Sequence, residues 1–348
     1  MRKVAIIVGA RPQFIKHAPV EKALGIFFDV FSIHTGQHYD SKMSDIFFNE
    51  LGINPPRFNL SIGSGSHGLQ TGKMMIELER ILEENRPDAV LVYGDTNSTL
   101  AGALVASKMG VKLVHIEAGL RSFNREMPEE INRVLTDHVS SFLFAPTNLS
   151  VDNLLKEGIT RGVYNVGDVM CDAVLLAKKK IESSGKLERT ENILVTLHRP
   201  YNTDDISRLL RIIESLNGLK EKIIFPLHPR TKNSLLMNEV DLSNYKNIRF
   251  IDPVSYFDLI KLQLESKCVI TDSGGVQKEA YILERKCITV RTETEWKETL
   301  RNGWNTLIFN DLSKLAELIE RVPGEYLPNM YGEGDSARRI AEILNNEL

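Results

Sequence analysis

The chain has 348 residues, more than one hydrophobic core comfortably organises and a natural length for two α/β domains. Apolar residues make up 42% and charged residues 26%, with a formal net charge of −3, which leaves no bulk electrostatic reason to bind nucleic acid or an anionic membrane. The three cysteines, Cys171, Cys268 and Cys287, lie far apart; they argue against a disulfide framework or a cysteine zinc site and suit a reducing, cytoplasmic setting.

The N-terminus goes straight into a strand-like run, too short for a secretory signal and far too short to span a bilayer. Short runs rich in valine and isoleucine then recur at 4–8, 30–33, 89–93, 112–116, 142–144 and 164–166. A second series follows at 193–197, 223–227, 248–251, 268–271, 287–290 and 306–309. Each gives way to a polar or glycine-containing turn and then to a helical pattern. Continuous rather than alternating apolar runs mark strands buried on both faces, and their alternation with helices predicts parallel sheets with right-handed crossovers. The stretch 57–62 is a poor buried strand. The literal GxGxxG at 63–68 therefore lacks the setting of a dinucleotide fingerprint and is expected to be a mobile loop ahead of a helix over 69–85. The polar stretch 183–192 reads as a connector. The expected architecture is α/β, with two Rossmann-like doubly wound domains facing a central cleft. They span 1–168, joined or not by a C-terminal helix at 333–348, and 169–332.

Ligands of open α/β sheets bind beyond the carboxyl ends of the strands, so the turns after these runs survey the site. After the first run comes Gly9-Ala10-Arg11-Pro12, which puts Arg11 and Lys16 near a helix start and within reach of a diphosphate. Asp95 follows the run at 89–93 and either caps the next helix or serves the site. Glu117 follows the run at 112–116 and has no obvious helix to cap. Pro128 fits the first position of a helix on which Glu129 and Arg133 are four apart and Glu130 and Arg133 three apart, a surface ion pair or part of a site. His198 and His228 each end a run beside a proline; coming from separate units without carboxylates at ligand spacing, they make no metal set. Ser273, Gly274 and Gly275 lead into a helix whose first N–H groups suit phosphate oxygens, although Ser273 also reads as a plain N-cap. Glu279, about a turn further in, suits the two hydroxyls of a ribose.

RP at 11–12, GDT at 94–96, H-x-EAGLR at 115–121, PEE-x-NR at 128–133, HR at 198–199, HP at 228–229 and DSGG-x-Q-x-E at 272–279 occur in that order. Together they closely resemble the non-hydrolysing UDP-N-acetylglucosamine 2-epimerases, over nearly the whole chain to YGEGDSARRI. The resemblance implies a glycosyltransferase-B type fold, a homodimer, and interconversion of UDP-GlcNAc and UDP-ManNAc with no cofactor. UDP would be eliminated to leave 2-acetamidoglucal and then re-added with the opposite C2 configuration. On matching positions, the acid–base carboxylates fall on Asp95, Glu117 and Glu129, and supporting basic residues on Lys16, Arg133 and His198. Nucleotide contacts fall on Arg11, His198, Ser273, Gly274, Gly275 and Glu279, with His228 beside them. Arg121, Arg125 and Glu126 receive no role.

These residue types suit that chemistry. The C2 hydrogen is not acidic in the ground state, so cations must stabilise charge on the departing UDP while a carboxylate removes the proton. Several carboxylates around one sugar raise one another's pKa, so that one can donate near neutral pH. The chain departs from the family pattern in three places. Gln13 stands where many bacterial relatives have glutamate. Glu295-Trp296-Lys297-Glu298 stands where they have Glu-Arg-Pro-Glu, removing an arginine. The segment 41–48 lacks the glutamines through which some are activated by a second UDP-GlcNAc. Two rival readings are a UDP-sugar glycosyltransferase of the same fold and a non-catalytic UDP-sugar binding protein.

Overall fold

The computed structural model describes residues 1–36, 51–185 and 187–348, with the Arg11 side chain outside that description. The segment 41–48, and with it the expectation about activation, lies outside the described residues. Residue contacts divide the chain into two compact units, Met1–Ala173 with Asn329–Leu348, and Val174–Pro328.

The first unit holds a seven-stranded parallel sheet. Its strands are β1 (Lys3–Val8), β2 (Asp29–His34), β3 (Phe58–Asn59), β4 (Ala89–Tyr93), β5 (Lys112–Ile116), β6 (Phe142–Ala145) and β7 (Val163–Asn165), in the order β3-β2-β1-β4-β5-β6-β7. The helices used below are α1 (Arg11–Leu24), α2 (His67–Asn85), α3 (Asn97–Lys108), α4 (Pro128–Val139), α5 (Asn148–Lys156) and α6 (Val169–Ser184). All five residues of β4 are buried, as a central strand covered on both faces requires. The stretch 57–62 was expected to be a poor buried strand; β3 lies inside it and pairs with β2 through Phe58 and Asn59. Its pattern is poor because it is two residues long and one of them is exposed. Helix α2 begins at His67, two residues before the expected start.

The second unit holds a six-stranded parallel sheet. Its strands are β8 (Ile193–Thr196), β9 (Ile223–Pro226), β10 (Ile248–Ile251), β11 (Cys268–Thr271), β12 (Lys286–Thr289) and β13 (Asn305–Leu307), in the order β10-β9-β8-β11-β12-β13. The helices are α7 (Pro200–Thr203), α8 (Ile206–Asn217), α9 (Pro229–Met237), α10 (Tyr256–Glu265), α11 (Gly274–Ile282) and α12 (Leu315–Glu320). One face of the sheet buries the apolar stripe of α8, Leu209, Ile212, Ile213 and Leu216, against Val195 and Phe225.

Each sheet reverses its winding once, between β1 and β4 and between β8 and β11. A doubly wound sheet opens a crevice at such a switch point. The first carries Gly9 to Arg11 and Gly94–Asp95; the second carries His198–Arg199 and Asp272 to Gly275. Two doubly wound units in one chain constitute the glycosyltransferase-B type of fold. The last helix, α13 (Ser336–Glu347), packs on α1 in the first unit and buries Ile340, Ala341 and Leu344. Asp172 of α6 caps it, accepting N–H groups of Ser336 at 3.2 Å and Ala337 at 2.9 Å.

Candidate active site

In the first unit, three strand ends and one helix bring the acid–base candidates together. After β1, Gln13 Oε1 accepts the N–H groups of Gly9 (2.7 Å) and Ala10 (3.1 Å), while Nε2 donates to the Tyr93 carbonyl at the end of β4 (2.8 Å). Gln13 therefore ties together the two turns of the switch point. About one turn along α1, Lys16 pairs with Glu117 Oε2, both side chains largely buried. From the sequence Lys16 was placed for a diphosphate; its ammonium is committed instead to a carboxylate.

Glu117 follows β5 with φ +71°. A non-glycine residue in the left-handed region stores about 1–3 kcal/mol and persists only where its surroundings hold it. Here the N–H groups of Glu117 and Ala118 both donate to the Phe144 carbonyl, at 3.1 and 3.2 Å. Gly94, at φ +61°, lies alongside: a Cβ built there would sit 3.1 Å from Glu117 Oε2. The turn that presents Asp95 thus passes directly over the Glu117 carboxylate.

Asp95 does not cap α3; Thr96 does, its side chain accepting from Thr99 N–H. The Asp95 carboxylate pairs with Arg133, and its backbone carbonyl accepts from Asn132 Nδ2 at 2.9 Å. Burial pushes the Asp95 carboxyl above its ordinary value, the Glu117 charge adds to this, and Arg133 and Lys16 pull against it. On α4 the expected four-apart partner of Arg133 was Glu129. Arg133 Nη1 instead meets Glu130, at 2.8 Å, and Glu129 is exposed on the first turn. Burial raises the Glu130 carboxyl, but hydrogen bonds from Ser122, Phe123 and Arg133 outweigh it and hold the group below its ordinary value. Glu130 is therefore a fixed anion that ties down the loop before α4. Helical phase explains the swap: positions three and four before an arginine both reach it, and only burial chooses between them.

In the second unit the organising anion is Asp272, fully buried at the end of β11. It accepts the N–H groups of His198 (3.0 Å) and Arg199 (3.0 Å) and Asn202 Nδ2 (3.0 Å), so it shapes the β8 turn. His198 Nδ1 lies 3.3 Å from the same carboxylate, and the His198 and His228 ring centroids are 5.1 Å apart. Burial lowers the His198 pKa; Asp272 opposes this, and Arg199, Arg230 and Arg291 reinforce it. His228 caps α9, its Nδ1 accepting from Arg230 N–H at 3.2 Å. Ser273 caps α11 by accepting from Val276 N–H, which leaves the N–H groups of Gly274 and Gly275 at the helix start. Glu279 is buried and accepts from Gln263 Nε2 at 2.8 Å.

Three sets of contacts in this unit go beyond what the sequence shows. Arg291, after β12, pairs with Glu295 at 3.0 Å, and that carboxylate packs against Gly274 so closely that a Cβ there would lie 2.5 Å from it. Arg199 and Arg230 join the cationic surroundings of His198. Lys278, buried on α11, holds its ammonium 3.6 Å from the centre of the Trp296 ring. That cation stands beside the position where the family's arginine is missing. Arg199, Arg230 and Arg291 follow β8, β9 and β12, where the sequence already places ligand-facing turns; Lys278, inside a helix, carried no such signal. The Arg11 side chain lies outside the described residues. Among the described residues no three His, Cys, Asp or Glu side chains converge as a metal site would need, and no helix is long and apolar enough to cross a membrane.

Comparison with known proteins bears on this arrangement. Residues 25–345 match the family model described as UDP-N-acetylglucosamine 2-epimerase. A curated relative from Methanococcus maripaludis, named UDP-N-acetylglucosamine 2-epimerase homolog, is 50% identical over 99% of both chains. The UDP-2,3-diacetamido-2,3-dideoxy-D-glucuronate 2-epimerase of Pseudomonas aeruginosa is 46% identical over 98% of this chain and 99% of its own. The crystal structure of the Methanocaldococcus jannaschii UDP-GlcNAc 2-epimerase in complex with UDP-GlcNAc and UDP superposes with a TM-score of 0.87 at 44% identity, covering 99% of each chain.

Proposed function

The chain belongs to the UDP-N-acetylglucosamine 2-epimerase family, and from that premise we propose that it interconverts UDP-GlcNAc and UDP-ManNAc by elimination and re-addition of UDP. It is an isomerase. The observation that carries the mechanism is the pairing of two carboxylates with two cations, Glu117 with Lys16 and Asp95 with Arg133, on the adjacent strand ends of β4 and β5. Glu117, held in place by its pairing with Lys16, takes the C2 proton as the C1–O bond to UDP breaks. Asp95, raised by burial, is suited to hold a proton and return it to C2 when UDP re-adds. Glu129, exposed at the helix start, is the third carboxylate of the set. In the second unit Ser273, Gly274, Gly275, His198 and His228 would hold the diphosphate, and Glu279 would accept the ribose hydroxyls.

The family resemblance supports a homodimer, and exposed Leu69 and Ile76 on α2 with Ile131 and Leu135 on α4 supply apolar surface for it. Its nucleotide-sugar chemistry and three buried free cysteines support a cytoplasmic setting. A second substrate is favoured by the Pseudomonas aeruginosa relative: a UDP-2,3-diacetamido uronate carries the same reacting C1–C2 unit.

Incubation of the protein with each UDP-sugar alone in D₂O, followed by NMR, tests the reading. Deuterium at C2 together with the 2-epimer is expected without any acceptor sugar. Turnover that needs an acceptor would establish the glycosyltransferase reading, and UDP binding with no turnover of either sugar would sink the epimerase. Glu117→Gln should still bind UDP and lose about 10²-fold or more in turnover, the scale of acid–base catalysis.

A further inference from the structure

Beneath the two carboxylates lies a buried ionic chain that the mechanism does not use. His115, on β5 and the first residue of the H-x-E motif, is fully buried. Its Nε2 lies 2.8 Å from the Gly94 carbonyl and its Nδ1 2.7 Å from Asp137 Oδ1 on α4. Asp137 Oδ2 in turn accepts from Gly119 N–H at 3.1 Å and pairs with Arg121 Nη1 at 2.7 Å. Arg121 closes the chain through two 2.7 Å hydrogen bonds to Glu157, beyond the C-terminus of α5. Burial works to raise the Asp137 carboxyl, but His115 and Arg121 overcome it and hold the group below its ordinary value, as an anion.

The chain begins and ends its work at two backbone positions. The Gly94 carbonyl belongs to the peptide that leads into Asp95. Gly119 N–H lies two residues after Glu117, in the turn that holds Glu117 at φ +71°. A backbone carbonyl only accepts, so the His115 Nε2 that faces Gly94 is the donor. Two other polar backbone groups at the Asp95 turn are also pinned: Gly94 N–H donates to the Ile116 carbonyl at 3.0 Å, and the Asp95 carbonyl accepts from Asn132.

We infer that His115 is a positioning residue. It acts as a strut on β5 whose Nε2 end fixes the Gly94–Asp95 peptide and so aims the Asp95 carboxylate at the reacting carbon; its Nδ1 end meets Asp137. The inference rests on the reading of Asp95 as a proton-carrying group. Geometry of this kind matters because a reacting group displaced by about 1 Å loses on the order of 10² in rate.

The two amide side chains separate the ends of the strut. Glutamine places its nitrogen where histidine has Nε2 and keeps the donor to Gly94; asparagine places its nitrogen where histidine has Nδ1 and keeps only Asp137. Steady-state epimerisation of UDP-GlcNAc is measured for His115→Gln and His115→Asn, with Asp95→Asn as reference and UDP affinity for each. The expected result is a kcat for H115Q within about 5-fold of the parent and a loss of about 30-fold or more in H115N, at KM and UDP affinity within about 3-fold, the range a 1 Å misplacement spans. Equal kcat for the two variants, or a loss that falls on KM, overturns the strut. An active D95N overturns the reading of Asp95 itself; an inactive D95N beside a fully active H115N overturns only the strut. If H115N does not fold, ¹⁵N-histidine NMR of the parent decides: a hydrogen on His115 Nε2 supports the strut, and a bare Nε2 overturns it.

Discussion

Substitution of Gly94 by alanine would push on the Glu117 carboxylate without touching its charge. Two costs can be read from the structure. Gly94 lies at φ +61°, where an L-residue costs about 1–2 kcal/mol, and the new Cβ would sit 3.1 Å from Glu117 Oε2. The carboxylate must retreat by a few tenths of an ångström, against its pairing with Lys16. Gly110→Ala is the control, because Gly110 has φ +71° and nothing within 4 Å of its Cβ position; it incurs the backbone strain alone. For a unit of this size, 1 kcal/mol moves the melting temperature by roughly 2–4 °C, so both variants should melt about 2–8 °C lower. Only G94A should also lose turnover, by about 10-fold, a fraction of the 10² that a full 1 Å misplacement costs. Calorimetry and the D₂O exchange assay on both variants provide the comparison. Equal turnover in G94A and G110A would show that the contact between Gly94 and Glu117 does not set the reactive geometry.

Gln13→Glu should destabilise by about 1–3 kcal/mol at pH 8, because the Tyr93 carbonyl that Nε2 now serves would face a carboxylate oxygen. Protonation restores a donor, so denaturant titration should find a smaller loss at pH 5; a loss independent of pH would count against this contact. Asp172 is raised by burial to about 6, against the hydrogen bonds it accepts at the start of α13. A carboxyl with a raised folded pKa favours the fold at low pH and loses that contribution as pH climbs from about 4 to about 6. Relative to Asp172→Asn, the parent should therefore lose stability over that interval, by a few kcal/mol at most; parallel stability curves would refute it. Trp296→Arg places a guanidinium against the Lys278 ammonium and should destabilise by about 2 kcal/mol or more through loss of the cation–π contact. Adding Lys278→Glu should recover most of it, and a strictly additive double mutant would show that the two positions do not interact.

The runs at 89–93, 112–116 and 268–271 coincide with β4, β5 and β11 because interior parallel strands covered on both faces are apolar over nearly their whole length. β3 read only as a poor strand because Phe58 and Asn59 make a two-residue edge with little to bury. The candidate site was legible as positions: Asp95 and Glu117 follow apolar runs, and a doubly wound sheet presents ligands to such ends. The partners were not. That Asp95 meets Arg133, that Glu130 rather than Glu129 is taken up by Arg133, and that Lys278 sits over Trp296 depend on which rotamer and helical phase burial selects.

What the sequence alone determined is the type and order of the chemistry: two doubly wound halves, glycine turns and carboxylates at strand ends, and the motif series shared with a family of sugar epimerases. Such information is local, written in runs of a few residues whose periodicity and turn chemistry need no distant partner. Only the tertiary structure decided which charges neutralise which. His115 reaches Asp137 across 22 positions, Asp137 is shared with Arg121, and Lys16 reaches Glu117 across 101. A buried charge is stable only with a partner and its hydrogen bonds in place, and the partner is whichever group the fold delivers within about 3 Å.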